Sequence, residues 1–375
     1  MKKTVAVAMS GGVDSSLTAA LLKEQGFRVI GISMELFPET LIIKNEPATC
    51  SGLKNIRDAQ QVAAELGIPH YILDLKKQFQ TSIIDYFSKE YISGRTPNPC
   101  IGCNKYLKFG ILFEKAKQFG AEYIATGHYA RIEKEQNGFF RLKRAIDPQK
   151  DQSYFLYTMT QEQLQRTLMP LGNYKKDDVR RIAKEMGLNA HQKPESQEIC
   201  FVEKRDYRDF LKSRHPEFFI PGPILDRNGK TLGEHQGIPG YTIGQRRGLG
   251  LSSSSPLYVI QINREKNAII VGERNYVYHN ELIAEDVNWI VPVNEVSTRP
   301  ISITVKIRSL HEPAEALLFK ESGGKVRVLF RHPQWAITPG QAAVFYGGDA
   351  VLGGGTIVSG RRASENVEGV ELRVF

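Results

Sequence analysis

The stretch "AMSGGVDSS", from Ala8 to Ser16, decides how the chain is read. It follows the apolar run "TVAVA" (Thr4 to Ala8) and opens a helix-patterned segment that continues to Gln25. A parallel strand that ends in a glycine turn and enters a helix is a phosphate-binding arrangement. Glycine lets the backbone approach an anion, successive N–H groups point at it, and the helix N-terminus adds positive potential. The string from Ser10 to Ser15 is S-G-G-V-D-S. It is neither the G-x-x-x-x-G-K-[ST] of a Walker loop nor the G-x-G-x-x-G of a dinucleotide fold. The plain alternative is a strand–turn–helix corner, where Gly and Ser are common.

Outward from this loop, strand and helix patterns alternate. "RVIGISM" and "HYILDL" read as strands, "IRDAQQVAAELG" as a helix stopped at Gly67, and "FQTSIIDYFSKEYI" as another helix. "YLKFGILFEKAKQFG" reads as a helix ending at Gly120, and "YIATGHYA" as a buried strand. The alternation predicts an α/β doubly wound parallel sheet. A hairpin of "ARIEKE" and "FFRLKRA" about Asn137-Gly138 follows, then a helix in "KKDDVRRIAKEMGL". Beyond the Pro-rich "PEFFIPGPI" the texture changes to short strands separated by Gly, Asn and Asp turns. This predicts two smaller β-rich domains, the last a β-barrel. The expected domains are 1–203, 204–280 and 281–375.

At 375 residues the chain exceeds one typical core. Its 41% apolar and 24% charged content fits a globular protein and excludes global disorder. No stretch of about 18 apolar residues offers a membrane span, and the short N-terminal apolar run ends in a glycine turn, so a cytoplasmic protein is expected. The net charge of +9 permits a polyanionic partner, although a solvated basic surface is the plain reading.

Four cysteines, Cys50, Cys100, Cys103 and Cys200, are too few for a disulfide scaffold. Cys50 reads as a buried, inert thiol. "RTPNPCIGCNK" places Cys100 and Cys103 in a CxxC, which serves as half of a zinc site, a redox pair or a site of nucleophilic sulfur chemistry. No second CxxC follows to complete a zinc finger, but four separate cysteines that meet in space would still hold zinc or an iron–sulfur cluster. Cys103 lies near the start of a predicted helix with Lys105 close by, and both features favour a thiolate.

The glycine loop resembles the pyrophosphate loop of the N-type ATP pyrophosphatases, which transfer AMP to a carbonyl oxygen and release pyrophosphate. The resemblance implies an ATP site formed by Ala8, Met9, Ser10, Gly11, Gly12, Val13, Asp14 and Ser15. Ser16 would join Ser10, Ser15 and the glycines in holding the phosphates, while Asp14 would help to organise Mg²⁺. Met34, at the end of the second strand, would pack on adenine, and Gly127, in "ATGHY", would allow close approach of the nucleotide. Both sit at carboxyl ends of strands, where open parallel sheets bind ligands. Taken alone, each is core or turn material.

The motifs "MSGGVDSS", "GRTPNPCIGCNKYLKFG", "IATGHYAR", "DQSYFLY", "SQEICF", "GEHQGI", "YTIGQRRGLG", "ITPGQAAVFY" and "VLGGGTI" occur in this order between residues 9 and 357. Together they resemble the tRNA-specific 2-thiouridylases. The resemblance implies ATP-dependent replacement of O2 by sulfur on the wobble uridine, U34, with AMP and pyrophosphate released. Cys200 would carry a persulfide received from a cysteine desulfurase or a sulfur-relay protein. Cys103 would be the second catalytic cysteine, freeing hydrosulfide or resolving the persulfide, and a Cys103–Cys200 disulfide would close the cycle. Asn98, Pro99 and Cys100 would face the target base. Relatives carry Asp at position 100, so Cys100 removes any aspartate role there. It also leaves three cysteines for an iron–sulfur cluster, a reading that ranks below direct persulfide transfer.

The same resemblance implies tRNA contacts at Lys150, Asp151, Gln152, His128, Arg308, Ser309 and Gln341. Without it, Lys150 and Arg308 are solvated surface and His128 is a strand-end histidine. "YTIGQRRGLG" would be a mobile tRNA-binding loop or an exposed turn, and the β-rich C-terminal part would grip the anticodon arm. The rival readings differ in class. An amidating synthetase leaves the cysteines unexplained, an RNA-binding or nucleotide-sensing protein predicts an eroded loop, and a metal-dependent redox protein predicts no use of ATP.

Overall fold

The computed structural model describes residues 2–37, 53–192, 199–202, 206–291, 300–362 and 373–374. Cys50 lies outside the described residues. The chain divides into two compact units, Met1–Ile84 with Pro99–Glu203 and Asp349–Val351, and Asp85–Asn98 with Lys204–Gly348 and Leu352–Phe375.

The first unit is built on β1 (Thr4–Ala8), which leads through the loop into α1 (Val13–Glu24) and then β2 (Arg28–Glu35). Next come α2 (Leu53–Glu65), β3 (His70–Asp74), β4 (Tyr123–Ala125), β5 (Ala130–Lys134), β6 (Phe140–Arg144) and β7 (Thr167–Leu168). A parallel sheet of five strands runs in the order β3-β2-β1-β4-β7, with Val7 in register with Gly31 on one side and Ala125 on the other. Because β1 is central, its alternating side chains feed two cores. Val5 and Val7 pack with Leu17, Leu22 and Val62, while Ala6 packs with Ile32, Leu112 and Phe113. A strand covered on both faces reads as an unbroken apolar run, which is why "TVAVA" shows no polar alternation.

Two local expectations change. "YIATGHYA" is not one strand. Pairing stops at Ala125, the chain turns through Thr126–Tyr129, and β5 belongs to the predicted hairpin with β6. At this turn the chain passes so close to α1 that position 127 must be glycine: a Cβ there would lie 2.8 Å from the Asp14 carbonyl carbon and 2.9 Å from Ser15 N. Second, the helix after the CxxC begins earlier than its pattern suggests. Gly102 is already helical (φ −58°, ψ −44°), so helical backbone starts at Pro99 and Cys103 stands in its second turn. Cys103–Leu112 is π-wound, with i→i+5 hydrogen bonding, and continues as an α-helix over Phe113–Gln118.

The second unit is mostly β. A sheet of β8 (Gly222–Leu225), β9 (Thr231–His235), β10 (Tyr258–Asn263) and β11 (Ala268–Gly272) runs in the order β10-β11-β8-β9. After it come β12 (Tyr278–Trp289), β13 (Ile301–Lys306), β14 (Ala314–Lys320), β15 (Val326–Trp335), β16 (Ala342–Gly347) and β17 (Ala350–Arg361). They pair in the order β12-β15-β14-β13-β16-β17, and β12 also pairs with β17, so the expected barrel is closed. Closure leaves no open strand edge among these six, and Val305, Leu318, Val328 and Phe345 fill the interior. Among the described residues no helix is long and apolar enough to cross a membrane.

Candidate active site

The loop after β1 is held by its own side chains. Ser15 Oγ accepts from Ser10 N (3.1 Å), donates to Gly12 O (3.2 Å) and lies 3.3 Å from Ser10 Oγ. Gly11 sits at φ +71° with its Cα facing Asn55 O, where a Cβ would come within 2.3 Å. Only glycine satisfies both the backbone angle and that contact. Gly12 caps the twelve-residue α1 with no side-chain cap bond, so the first N–H groups of the helix are not closed off by a side chain at its N-cap.

Asp14 stands at the second position of α1 and is held from two sides. Lys176 Nζ reaches Oδ1 and Oδ2 at 2.7 and 2.8 Å, and Tyr129 OH donates to Oδ1 at 2.7 Å. Lys176 is only 6% exposed and comes from the helix Lys176–Glu185. A buried ammonium requires such a counter-ion. The chain positions 14 and 176 are 162 apart, so no local pattern announces the pair.

Ahead of the loop lies a cavity of about 440 Å³. Met9, Ser10, Asp14 and Ser15 line it, together with Met34 and Gly127 and with Cys100, Cys103 and Cys200. Cys100 is exposed, and Cys103 and Cys200 are half-buried. Phe201, next to Cys200, packs edge-on against Phe79 at 5.8 Å, and Phe79 packs on Phe37 at 5.6 Å. Among the described residues, no group of three or more His, Cys, Asp or Glu side chains is arranged to hold a metal ion.

The cation beside the cysteines is Lys108, not Lys105. Lys105 extends over the Tyr106 ring at 5.2 Å on an outer groove, whereas Lys108 lines the cavity. Both Lys108 and Cys103 belong to the π-wound segment and line the same cavity. Lys108 Nζ lies 3.4 Å from His128 Nε2, and His128 Nδ1 lies 2.8 Å from Thr126 Oγ1. Burial first, and the Lys108 charge second, hold His128 well below the usual imidazole range, so it is neutral at pH 7. An ammonium has only protons to offer; Nε2 therefore accepts, and Nδ1–H donates to Thr126.

The other anticipated residues fall in different places. Pro99 and Gln152 line the cavity, and Gln152 Oε1 accepts from Tyr129 N at 3.0 Å. Asp151 Oδ1 accepts from Ala145 N (3.2 Å) and Ser153 N (3.1 Å) and Oδ2 from Ser153 Oγ (3.0 Å), so its carboxylate shapes the segment that follows Lys150. Val13 is buried in the core, and Ser16 Oγ is buried on α1 without a hydrogen-bond partner among the described residues. Asn98, Arg308, Ser309 and Gln341 belong to the second unit. There Gln341 Nε2 donates to Thr96 O (3.0 Å), and Arg308 Nη1 donates to Trp335 O (3.0 Å). Sequence reading missed Tyr129, Lys176 and Lys108, which carry no motif of their own.

Fold and loop together define an ATP-using enzyme of the PP-loop class, followed by β-rich domains. Three family profiles cover nearly the whole chain: a tRNA methyl transferase HUP domain over residues 3–204, a tRNA methyl transferase PRC-barrel domain over 208–273 and an aminomethyltransferase β-barrel domain over 279–357. The tRNA-specific 2-thiouridylase MnmA of Heliobacterium modesticaldum is 50% identical over 361 residues, 96% of this chain and 93% of that protein. The same-named protein of Halothermothrix orenii is 50% identical over 94% of this chain and 98% of its own length. A solved 4-thiouridine synthetase–RNA complex with bound ATP is 18% identical, covers 57% of this chain and 51% of that one, and has a TM-score of 0.37, too slight a likeness to argue from. The chain belongs to the tRNA-specific 2-thiouridylase family.

Three outcomes follow from this geometry. Gly127→Ala must displace the start of α1 and should weaken ATP binding at least about tenfold. Gly120→Ala, at φ +75° with open space around it, should cost only about 1 kcal/mol of stability and leave binding intact. Lys176→Met leaves the Asp14 carboxylate beside the loop with its charge unbalanced, and should weaken ATP binding by about 1–2 kcal/mol in equilibrium dialysis. The neutral His128 opposes protonation, so stability present above pH 6.5, the ordinary imidazole value, is lost as pH falls below it. His128→Asn should therefore flatten the fall in melting temperature between pH 7 and pH 5.

Proposed function

We propose that this chain forms 2-thiouridine at U34 of tRNA by adenylating the uracil O2 and then transferring sulfur from a persulfide on Cys200. One observation carries the reading: the phosphate-type loop and three cysteines line a single cavity. An amide-like oxygen leaves poorly, and AMP attached to it leaves well. Sulfur chemistry therefore needs adenylation in the same chamber.

In this reading Ser10, Ser15 and the start of α1 hold the pyrophosphate part of ATP, and Met34 and Gly127 border the adenosine. Uracil O2 attacks the α-phosphorus and pyrophosphate leaves. The terminal persulfide sulfur attacks C2 and AMP leaves. Cys103 thiolate then attacks Cys200 Sγ, which frees the thiolated base and forms a Cys103–Cys200 disulfide. A cysteine desulfurase or sulfur-relay protein reloads Cys200 after reduction. Mg²⁺ fits as a phosphate-bound ion rather than a protein-caged one, because Asp14 is the one acidic side chain among the described cavity residues. The +9 net charge suits tRNA phosphates, and U34 must leave its stack to enter the cavity. Lys150, Asp151 and Gln152, with His128, Arg308, Ser309 and Gln341, remain the proposed tRNA contacts, and Asn98, Pro99 and Cys100 the proposed border of the base.

The test is a single-turnover reaction of the full chain with unmodified tRNA, Mg²⁺, α-labelled ATP and a desulfurase with cysteine. AMP and 2-thiouridine should form one for one in protein whose iron content is measured alongside. Cys200→Ser and Cys103→Ser should each abolish thiouridine and spare tRNA binding. Wild-type-like turnover by either variant removes that cysteine from the mechanism. Dependence of activity on stoichiometric iron would replace the persulfide step with a cluster.

A further inference from the structure

The charges around the cavity do not balance. Among its described lining residues Asp14 is the one anion and Lys108 the one cation. Asp14 is already matched by Lys176, which lies behind it at 2.7 Å. Among the described residues, Lys108 is matched by nothing of opposite sign. Its recorded partner is the imidazole of His128, which is neutral, and no carboxylate among the described residues pairs with it. A half-buried ammonium without a counter-ion is costly, and the arrangement holds it in place without quenching its charge. His128, fixed by Thr126 at 2.8 Å, serves as an acceptor that aims the ammonium.

We propose that Lys108 is a catalytic residue of the adenylation step, binding the α-phosphate of ATP and stabilising the charge that develops as pyrophosphate leaves. The proposal rests on the adenylation reading above, and chemistry selects the α-phosphate. The loop at Ser10–Ser15 and the start of α1 take the pyrophosphate end. The phosphorus that is transferred becomes bonded to O2, one atom away from the C2 that sulfur attacks. It must therefore lie between the loop and the cysteines. Lys108 shares its π-wound helix with Cys103, one i→i+5 step away, and lines this same cavity. Preorganised cations at a transferring phosphoryl group act mainly on the rate, because the charge they meet is greatest in the transition state.

The experiment compares wild type, Lys108→Met and Lys108→Arg in full-length protein, with unmodified tRNA and α-labelled ATP. AMP formation is followed in a single turnover at saturating ATP, and ATP affinity is measured by equilibrium dialysis. Lys108→Met should slow AMP formation about 100- to 1,000-fold while ATP affinity changes less than about threefold. Lys108→Arg should recover at least about a tenth of the wild-type rate. AMP formation by Lys108→Met within about threefold of wild type overturns the proposal. So does normal AMP with lost thiouridine, which would place Lys108 in the sulfur step, and so does a loss confined to ATP affinity. Should the Met variant not fold, Lys108→Gln, which keeps a donor without the charge on a side chain one atom shorter, repeats the comparison. A wild type that makes no AMP at all refutes the adenylation reading itself, which is a different result from a variant that matches an active wild type.

Discussion

The ion pair between Lys176 and Asp14 anchors the loop after β1. It joins the first helix of the chain to a helix 162 residues further on, with Tyr129 supplying a third contact to the same carboxylate. Removing one partner of a buried pair is destabilising because the other charge is left without compensation. Here Asp14 is about a third exposed and Lys176 is not, so the pair mainly allows the lysine to be buried. The loop gains a fixed backbone in return. Its shape is set by Ser15, by the glycine contacts at Asn55 and Asp14, and by this clamp, before any nucleotide arrives.

The cavity wall that carries Cys103 is the π-wound segment Cys103–Leu112. Cys103 and Lys108 both line the cavity from it. π-Bulges inside α-helices recur at functional sites.

Much of this was legible in the sequence. The loop, the alternating α/β pattern, the hairpin at Asn137-Gly138 and the closed barrel follow from short-range signals, namely glycine turns, two-residue and helical periodicity, and strand length. The cysteines were legible as a motif. Three things were not. Lys176 sits in "KKDDV", a charged helix start that reads as solvent-facing, and only contact with Asp14 makes it internal. Lys105 and Lys108 look alike in sequence, and only the folded chain places Lys108 on the cavity and Lys105 over Tyr106. The segment after Ala125 has strand composition, but there pairing stops and the chain passes against α1 at Gly127.

The central place of β1 has a further consequence. Its backbone is paired on both sides and its side chains serve two cores, so it belongs to the part of the unit that opens last. The hairpin of β5 and β6, by contrast, carries half-exposed side chains along most of its length. Partial unfolding that frays such outer elements would leave the phosphate loop attached to intact sheet. A molecule opened in this way would keep the loop in shape, and a ligand held equally well by the opened and closed forms would not shift the balance between them.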